Sequence, residues 1–447
     1  MSISITSVLL PTLTQSFSAT VPEVQWVVFT YLMAVTIAVV SAGRLGDLFG
    51  HRYVMISGLT LFASASILCA CAPNLTVLIV GRGLQGIGGA ILVALPMSIT
   101  RNLVPAERLG AAMGVLGTTS AAGTALGPSI GGLILTFGDW RMAFWLLAIF
   151  ACVTLLLTLA AITPTSVQRK ATLQELDLPG SVTLIIALAA YAFATNGQHT
   201  DNGLSPYILL AGSLFAFSIF FIAESRTSHP LVPITFLRDK SVGLGVAMNF
   251  SISAIMMSTL VIGPFFLAFS LELSETHIGL VLAVGPAIAA LSGIPAGRIT
   301  DRIGASHAMM FSLVQMVLAL LCLAFLPLWL GVVGYIIALI VLTPSFQLFL
   351  AANNTAVLAG ATKDQSGRLS GLLGLSRNVG LMTGSSVASS LFVTMLGSKN
   401  ILDAVDKDIA HAFSMTFAVA AGLALLTLGL SLIKCSSRLC VSTETPT

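Results

Sequence analysis

Few residues in this chain could do chemistry, and the apolar runs around them make them conspicuous. Arg82 lies within Leu75 to Thr100, with Gln85 and Gly86 three and four residues on. Helical spacing puts all three on one face, so a cation, an amide and a smooth patch come together. An ionisable group at membrane depth costs at least about 3 kcal/mol and by default marks a pathway or a site. The competing reading is an arginine that snorkels to the outer surface, since position 82 is two turns into its run. Arg377 and Asn378 form a similar, weaker pair for which a helix-packing hydrogen bond is the alternative. Trp26 and Tyr31 could line a cavity, although interfacial anchoring accounts for Trp26 equally well. Gln347, Asn249, Phe265 and Phe266 are cavity candidates by position alone.

Other chemistries are excluded by context. Gly81, Gly83 and Gly86 spell G-x-G-x-x-G, but inside an apolar run with no preceding strand, so no dinucleotide site is expected. Gly127, Ser129 and Gly131 spell G-x-S-x-G, which would need a base at membrane depth. All six histidines fall in loops or at the ends of apolar runs. The six cysteines have neither a disulfide framework nor metal-ligand spacing. The chain is therefore expected not to be an enzyme and to carry no cofactor and no metal. The first residues have no basic segment and no small-residue cleavage site, so they read as part of a helix and not as a signal peptide.

The elements that must position these residues follow from composition. Charged residues are 8% and hydrophobic ones 56% of 447 positions, against about 25% charge in a soluble domain. A mean hydropathy of +0.99 over the whole length implies one membrane domain. At about 20 apolar residues per span, spans are expected near 24–42, 53–72, 75–100, 110–135, 142–162, 180–197, 206–224, 242–270, 278–296, 305–326, 329–352, 368–396 and 411–434, after a partial span at 1–17. Alternate connections collect fifteen Lys and Arg on one side and three on the other. By the positive-inside tendency the C-terminus is then cytoplasmic.

Two repeats organise the spans. GRLGDLFGHR (Gly43 to Arg52) is echoed by GRITDRIGAS (Gly297 to Ser306) at an offset of 254 residues. RLGAAMGVLG from Arg108 is echoed by RLSGLLGLSR from Arg368 at an offset of 260. A duplicated bundle of parallel halves is implied, with the spans between 180 and 224 as an insertion. In the loop, glycines permit a tight turn, and Asp47 is expected just before the third span, where a helix N-terminus favours negative charge. The functional reading is a latch between halves, built from Gly43, Arg44, Asp47, Gly50 and Arg52 and from Gly297, Arg298, Asp301, Arg302 and Gly304. The bland reading is a topology-setting turn. Ser306 stands at the basic position of the second copy, which makes that copy the weaker latch.

These residues carry a resemblance. Gly43, Leu45, Asp47, Gly50 and Arg52 resemble the G-x-L-x-D-x-x-G-x-[RK] loop of the major facilitator superfamily. Arg82, Gln85 and Gly86 look like its R-x-x-Q-G element. Gly123, Gly127, Pro128, Gly131 and Gly132 match its antiporter element G-x-x-x-G-P-x-x-G-G. The whole chain is similar to the fourteen-helix drug:proton antiporter branch. The resemblance implies an all-α integral membrane fold with two pseudo-symmetric six-helix bundles, two inserted helices and about fourteen transmembrane helices. Domains are expected at 1–162, 163–240 (linker with the inserted pair), 241–434 and 435–447 (cytoplasmic tail). Glycines 123, 127 and 131 recur every fourth residue, a close-packing face that the resemblance makes a hinge.

One departure stands out. The branch carries an acidic residue in its first helix, in a pattern like L-D-x-T-x-x-N-x-A-L-P. Alignment on Leu10 and Pro11 puts Ser2 in its place. Either the true start lies upstream or the first helix is shortened and the usual proton site lost. None of the 17 acidic residues falls at mid-span; Glu224, Glu272 and Glu275 lie at span ends. The expected function is secondary transport of small amphiphilic molecules by alternating access, as an efflux antiporter in a bacterial inner membrane. Its expected partners are membrane lipid, a small-molecule substrate and the proton as coupling ion, with no nucleic acid and a monomeric state. An importer or metabolite permease of the same fold, or a non-transporting receptor or scaffold, fits the same sequence. Missing carboxylates tilt the cargo toward anionic or neutral compounds.

Overall fold

A computed structural model describes residues 1–103, 119, 123–124, 126–136, 138–161, 178–195, 206–226, 236–237, 239–358, 363–397 and 405–442. Among them every regular element is a helix: α1 Ser2–Phe17, α2 Val21–Phe49, α3 His51–Ala70, α4 Leu75–Leu103, α5 Leu126–Thr136, α6 Arg141–Ala161, α7 Leu178–Thr195, α8 Pro206–Arg226, α9 Lys240–Phe265, α10 Glu275–Ile303, α11 Ala305–Leu358, α12 Lys363–Leu396 and α13 Asp406–Ser442. Helices satisfy their backbone internally, which lipid requires. Among the described residues nine are long and apolar enough to cross a membrane. α11 is two rods, 305–330 and 332–358, broken at Gly331 by φ 55° and ψ −131°. With that break the described helices number fourteen rods, the count expected from the sequence. α1, at 16 residues, is short of a full span.

Both motif loops are shorter than expected. α2 continues to Phe49 and α3 starts at His51, so the turn is Gly50 alone, at φ 89°. α10 runs to Ile303 and α11 starts at Ala305, with Gly304 at φ 82°. A left-handed φ is tolerated by glycine without a Cβ penalty, so one residue reverses the chain in each copy. Asp47 consequently lies in the last turn of α2, at the negative end of a helix, and the dipole argument placing it before α3 fails. The side chains of Gly43, Arg44 and Asp47 lie outside the described residues, as do Arg108, residues 162–177 and the side chains after Leu432.

The chain forms two compact units. The first is Met1–Leu231 with Ser274–Gly279, and the second is Val232–Leu273 with Leu280–Thr447. In the first, α4 packs against α2 and α3, α3 against α6, and the inserted α7 and α8 against each other, with α7 also on α2. Glycine permits the close α3–α4 crossing. A Cβ on Gly88 would stand 2.8 Å from both the Gly58 carbonyl oxygen and the Phe62 nitrogen, and one on Gly58 would stand 2.5 Å from Ile91 Cγ2. In lipid, where apolar surface gives helices no reason to associate, such backbone approach and interhelical hydrogen bonds must do so.

The second unit follows the same rule. Asn249 Nδ2 on α9 donates to the Leu373 carbonyl at 2.8 Å, Asn353 Nδ2 on α11 to the Gly245 carbonyl at 3.1 Å, and Ser376 Oγ on α12 to the Val246 carbonyl at 2.7 Å. Gly384 lets α12 lie directly on the Ala254 backbone of α9. Phe266, within a π-helical turn after α9, stacks on Phe413 at 4.0 Å, with Tyr335 and Phe417 completing an aromatic core. Large apolar residues also stay exposed, Leu291 at 77% and Trp329 at 86% among them, which a lipid solvent tolerates. Overpacking a tight helix crossing costs about 1–3 kcal/mol. Gly88→Leu is therefore expected to lower the melting temperature of the detergent-purified protein by several degrees. Gly212→Ala, whose Cβ would meet open space, should leave it unchanged in the same thermal scan.

Candidate functional site

Arg82 does not snorkel. It is 0% exposed and turned into the first unit. Its Nε donates to the Val27 carbonyl of α2 at 2.9 Å and its Nη1 to Ser2 Oγ of α1 at 2.8 Å. Nη1 also donates to Gln85 Oε1, one turn on along α4. The guanidinium carbon lies 4.2 Å from the centroid of the Tyr31 ring, a cation–π contact. Gln85 Nε2 donates in turn to Ser66 Oγ of α3 at 2.6 Å, and that hydroxyl donates to the Phe62 carbonyl at 2.7 Å. One buried cation thus ties α1, α2, α3 and α4 together. Arg82 Nη2 is buried with no hydrogen-bond partner among the described residues.

The glycines around Arg82 make room for this arrangement. A Cβ on Gly86 would fall 2.6 Å from the Tyr31 carbonyl oxygen, and one on Gly89 would fall 2.6 Å from the Tyr31 hydroxyl. Both would push α2 away and lift the phenol off the guanidinium. Ser2 and Tyr31 also wall a cavity of about 360 Å³. The rest of its lining is chiefly apolar, with Leu59 and Phe62 of α3, Val93 of α4 and Phe150 of α6 among its walls. Cation, hydroxyls and apolar wall are therefore adjacent, an arrangement suited to an amphiphilic guest.

The α5 glycines divide between two neighbours. Gly127 and Gly131 face Ser4, Ile5 and Val8 of α1, whereas Gly132 faces the first turn of α10, where its Cβ would stand 2.8 Å from Gly279 Cα. A Cβ on Gly279 would in turn stand 2.5 Å from the Pro128 carbonyl oxygen. Gly123 is looser, its Cβ position 4.0 Å from the nearest atom, Met1 Cβ.

The remaining sequence candidates separate. Of the first loop, Arg52 Nη2 donates to the Leu159 carbonyl of α6 at 3.2 Å. In the second copy Arg298, Asp301 and Arg302 are exposed. Trp26 is half-buried, edge-on to Phe29 at 5.4 Å. Arg377 is exposed and Asn378 half-buried on α12 of the second unit. Phe265 and Phe266 are 0% and 1% exposed, core residues and not cavity walls. Asn249 and Gln347 make helix-to-helix hydrogen bonds, Gln347 Nε2 to the Ala289 carbonyl at 3.1 Å. Ser66 and Gln25 carry no sequence signal strong enough to single them out. Gln25 is 0% exposed, with neither amide atom partnered among the described residues.

Comparisons with known proteins bear on this architecture. Among curated relatives, the uncharacterized transporter YebQ of Escherichia coli is 28% identical over 439 residues, covering 97% of this chain and 93% of the relative. The multidrug resistance protein Stp of Mycobacterium tuberculosis is 27% identical over 405 residues, covering 88% and 73%. Among solved structures, a mutant of the nucleoside transporter NupG aligns at a TM-score of 0.66 with 14% identity, covering 97% of this chain and 94% of that one, a likeness of fold alone. The family model described as Major Facilitator Superfamily matches residues 1–265 and 242–438, essentially the whole chain. The chain is an integral membrane protein that belongs to the Major Facilitator Superfamily of transporters.

Proposed function

We propose that this transporter is a secondary active exporter of small amphiphilic compounds, working by alternating access and driven by the inward proton gradient of a bacterial inner membrane. The observation that carries this reading is the buried Arg82 network set against an apolar cavity of about 360 Å³. That volume lies within the range of about 300–1,000 Å³ for small-molecule sites. Apolar walls take the body of the guest and the polar corner orients its head. The likeness to Stp, a multidrug resistance protein, supports broad efflux. Bacterial relatives support the membrane, and the bias of Lys and Arg supports a cytoplasmic C-terminus.

Within this reading the Gly43 to Arg52 segment and its echo at Gly297 form the latch, and the α5 glycines with Pro128 form the hinge. Arg82→Ala and Asp47→Asn are each expected to reduce dye efflux from expressing cells to the empty-vector level, with membrane-fraction abundance retained, and a protonophore should do the same to the wild type. Efflux unchanged in both variants would sink the exporter reading. Transport into the cell against a gradient would reverse its direction.

The α5 face yields a second expectation. Gly132→Leu, which must displace the α10 backbone, should cut the efflux rate by at least about tenfold, a transition-state cost of roughly 1.4 kcal/mol. Gly123→Ala fits the available space and should retain most of the rate. Equal rates in the two variants would show that the Gly132 contact is not part of the cycle.

A further inference from the structure

Resting on the exporter reading, we infer that the first unit contains an anion-recognition site at Arg82, and that the cargo class is small organic anions, carboxylates or sulfonates with an apolar body. The charge balance comes first. No carboxylate is among the groups bonded to Arg82: of α1, α2, α3, α4 and α6 only α2 carries acids, Glu23 in its first turn, where it accepts from Thr20 N and Oγ1, and Asp47 in its last turn. The cation is fully buried, and its protein partners are neutral: a carbonyl, an amide, a hydroxyl and an aromatic ring. A buried guanidinium with only neutral partners keeps a large unmet demand for negative charge.

Geometry shows where that demand is met. Nη2 has no acceptor among the described residues, while Nη1, on the same carbon, donates to Ser2 Oγ. Ser2 and Tyr31 both touch Arg82 and both line the cavity, so the guanidinium sits one side-chain layer behind the cavity wall. Ser2 offers one oxygen where a carboxylate or sulfonate offers two in the fork geometry a guanidinium accepts. A guest whose anionic head displaces the Ser2 hydroxyl engages Nη1 and Nη2 together and leaves its apolar body against Leu59, Phe62 and Val93. A carboxylate placed at position 2 by mutation would occupy the same fork from within and exclude that guest.

The test uses two probes with the same ring and opposite charge, 2-naphthalenesulfonate and (2-naphthylmethyl)trimethylammonium. Binding is read by calorimetry on the purified full chain, and movement is read in proteoliposomes under an imposed proton gradient. The wild type is expected to bind and move the sulfonate. Arg82→Gln and Ser2→Asp should each weaken its Kd at least about tenfold, as expected for a lost charge-assisted pair. Ser2→Ala should change it less than about threefold, since only a neutral hydroxyl is lost. Ser2→Asp should favour the ammonium. Should Arg82→Gln fail to give a monodisperse protein, Ser2→Asp with Arg82→Lys carries the test. Preference of the wild type for the ammonium, or sulfonate affinity unchanged in Ser2→Asp, overturns the inference. Chloride that competes for Arg82 while the sulfonate neither binds nor moves assigns the site to a halide and also overturns it. Sulfonate that binds but is not moved leaves the anion site standing and removes the exporter reading. Ammonium moved without sulfonate does the reverse.

Discussion

The first unit depends on the burial of one guanidinium. Removing an ion from water into a low-dielectric interior costs several kcal/mol even after relaxation, so Arg82 can be held only where most of its donors are matched, as three of its five are. The match comes from separate helices: the Val27 carbonyl from α2, the Ser2 hydroxyl from α1, Gln85 from its own α4 and, through Gln85, Ser66 from α3. Each of these groups that leaves frees a donor or acceptor that something else must then meet. The polar chain therefore fixes the rotation of four helices that packing among apolar side chains alone would leave free to slide in lipid.

Small residues make that chain possible. Gly86 and Gly89 bring α2 within reach of the guanidinium, and Gly58 with Gly88 brings α3 close enough for Ser66 to meet Gln85. The second unit reaches the same end through Gly380 and Gly384 against α9, reinforced by Asn249, Asn353 and Ser376 donating to backbone carbonyls. In both units hydrogen bonds to carbonyls several helices away in sequence stand where a soluble protein would rely on hydrophobic burial. Apolar side chains fill the interior of each unit, as Phe266 and Phe413 do, and also remain exposed, as Leu291 and Trp329 do.

Much of this is legible in the sequence because lipid is a strict solvent. A rod of apolar residues can be read from composition, and the fourteen rods, including both arms of α11, correspond to the runs expected. The Arg82–Gln85–Gly86 face is likewise legible from helical spacing, and the structure adds Tyr31 to it. What sequence spacing does not reveal is the direction of side chains across helices. Trp26 meets Phe29 edge-on, Phe265 and Phe266 turn into an aromatic core, and Ser66 contributes a bond that no motif announces. The turns escape sequence reasoning for a different reason. Hydropathy falls at Arg44 and Asp47, so a window places the loop there, but a helix tolerates charge outside the apolar layer and α2 continues to Phe49. At these two turns it is the left-handed glycines, Gly50 and Gly304, that end α2 and α10.

The duplicated chain has not kept its chemistry in duplicate. The two single-glycine turns stand 254 residues apart, and the second repeat pair stands 260 apart. Carrying Arg82 forward by either offset lands between Ile336 and Leu342, in the run IIALIVL, where no side chain is polar. The turn geometry is common to both copies while the buried cation belongs to one. That division follows from cost: a glycine turn needs no partner, whereas a buried guanidinium needs acceptors from several helices at once and is lost as soon as one of them drifts. Arg377, the cation within an apolar run of the second unit, stands on α12 and at neither of the offset positions, whereas Arg82 is fully enclosed. The buried cation is accordingly held where α1, α2 and α4 meet, while the second unit ties its helices with neutral donors, Asn249, Asn353 and Ser376.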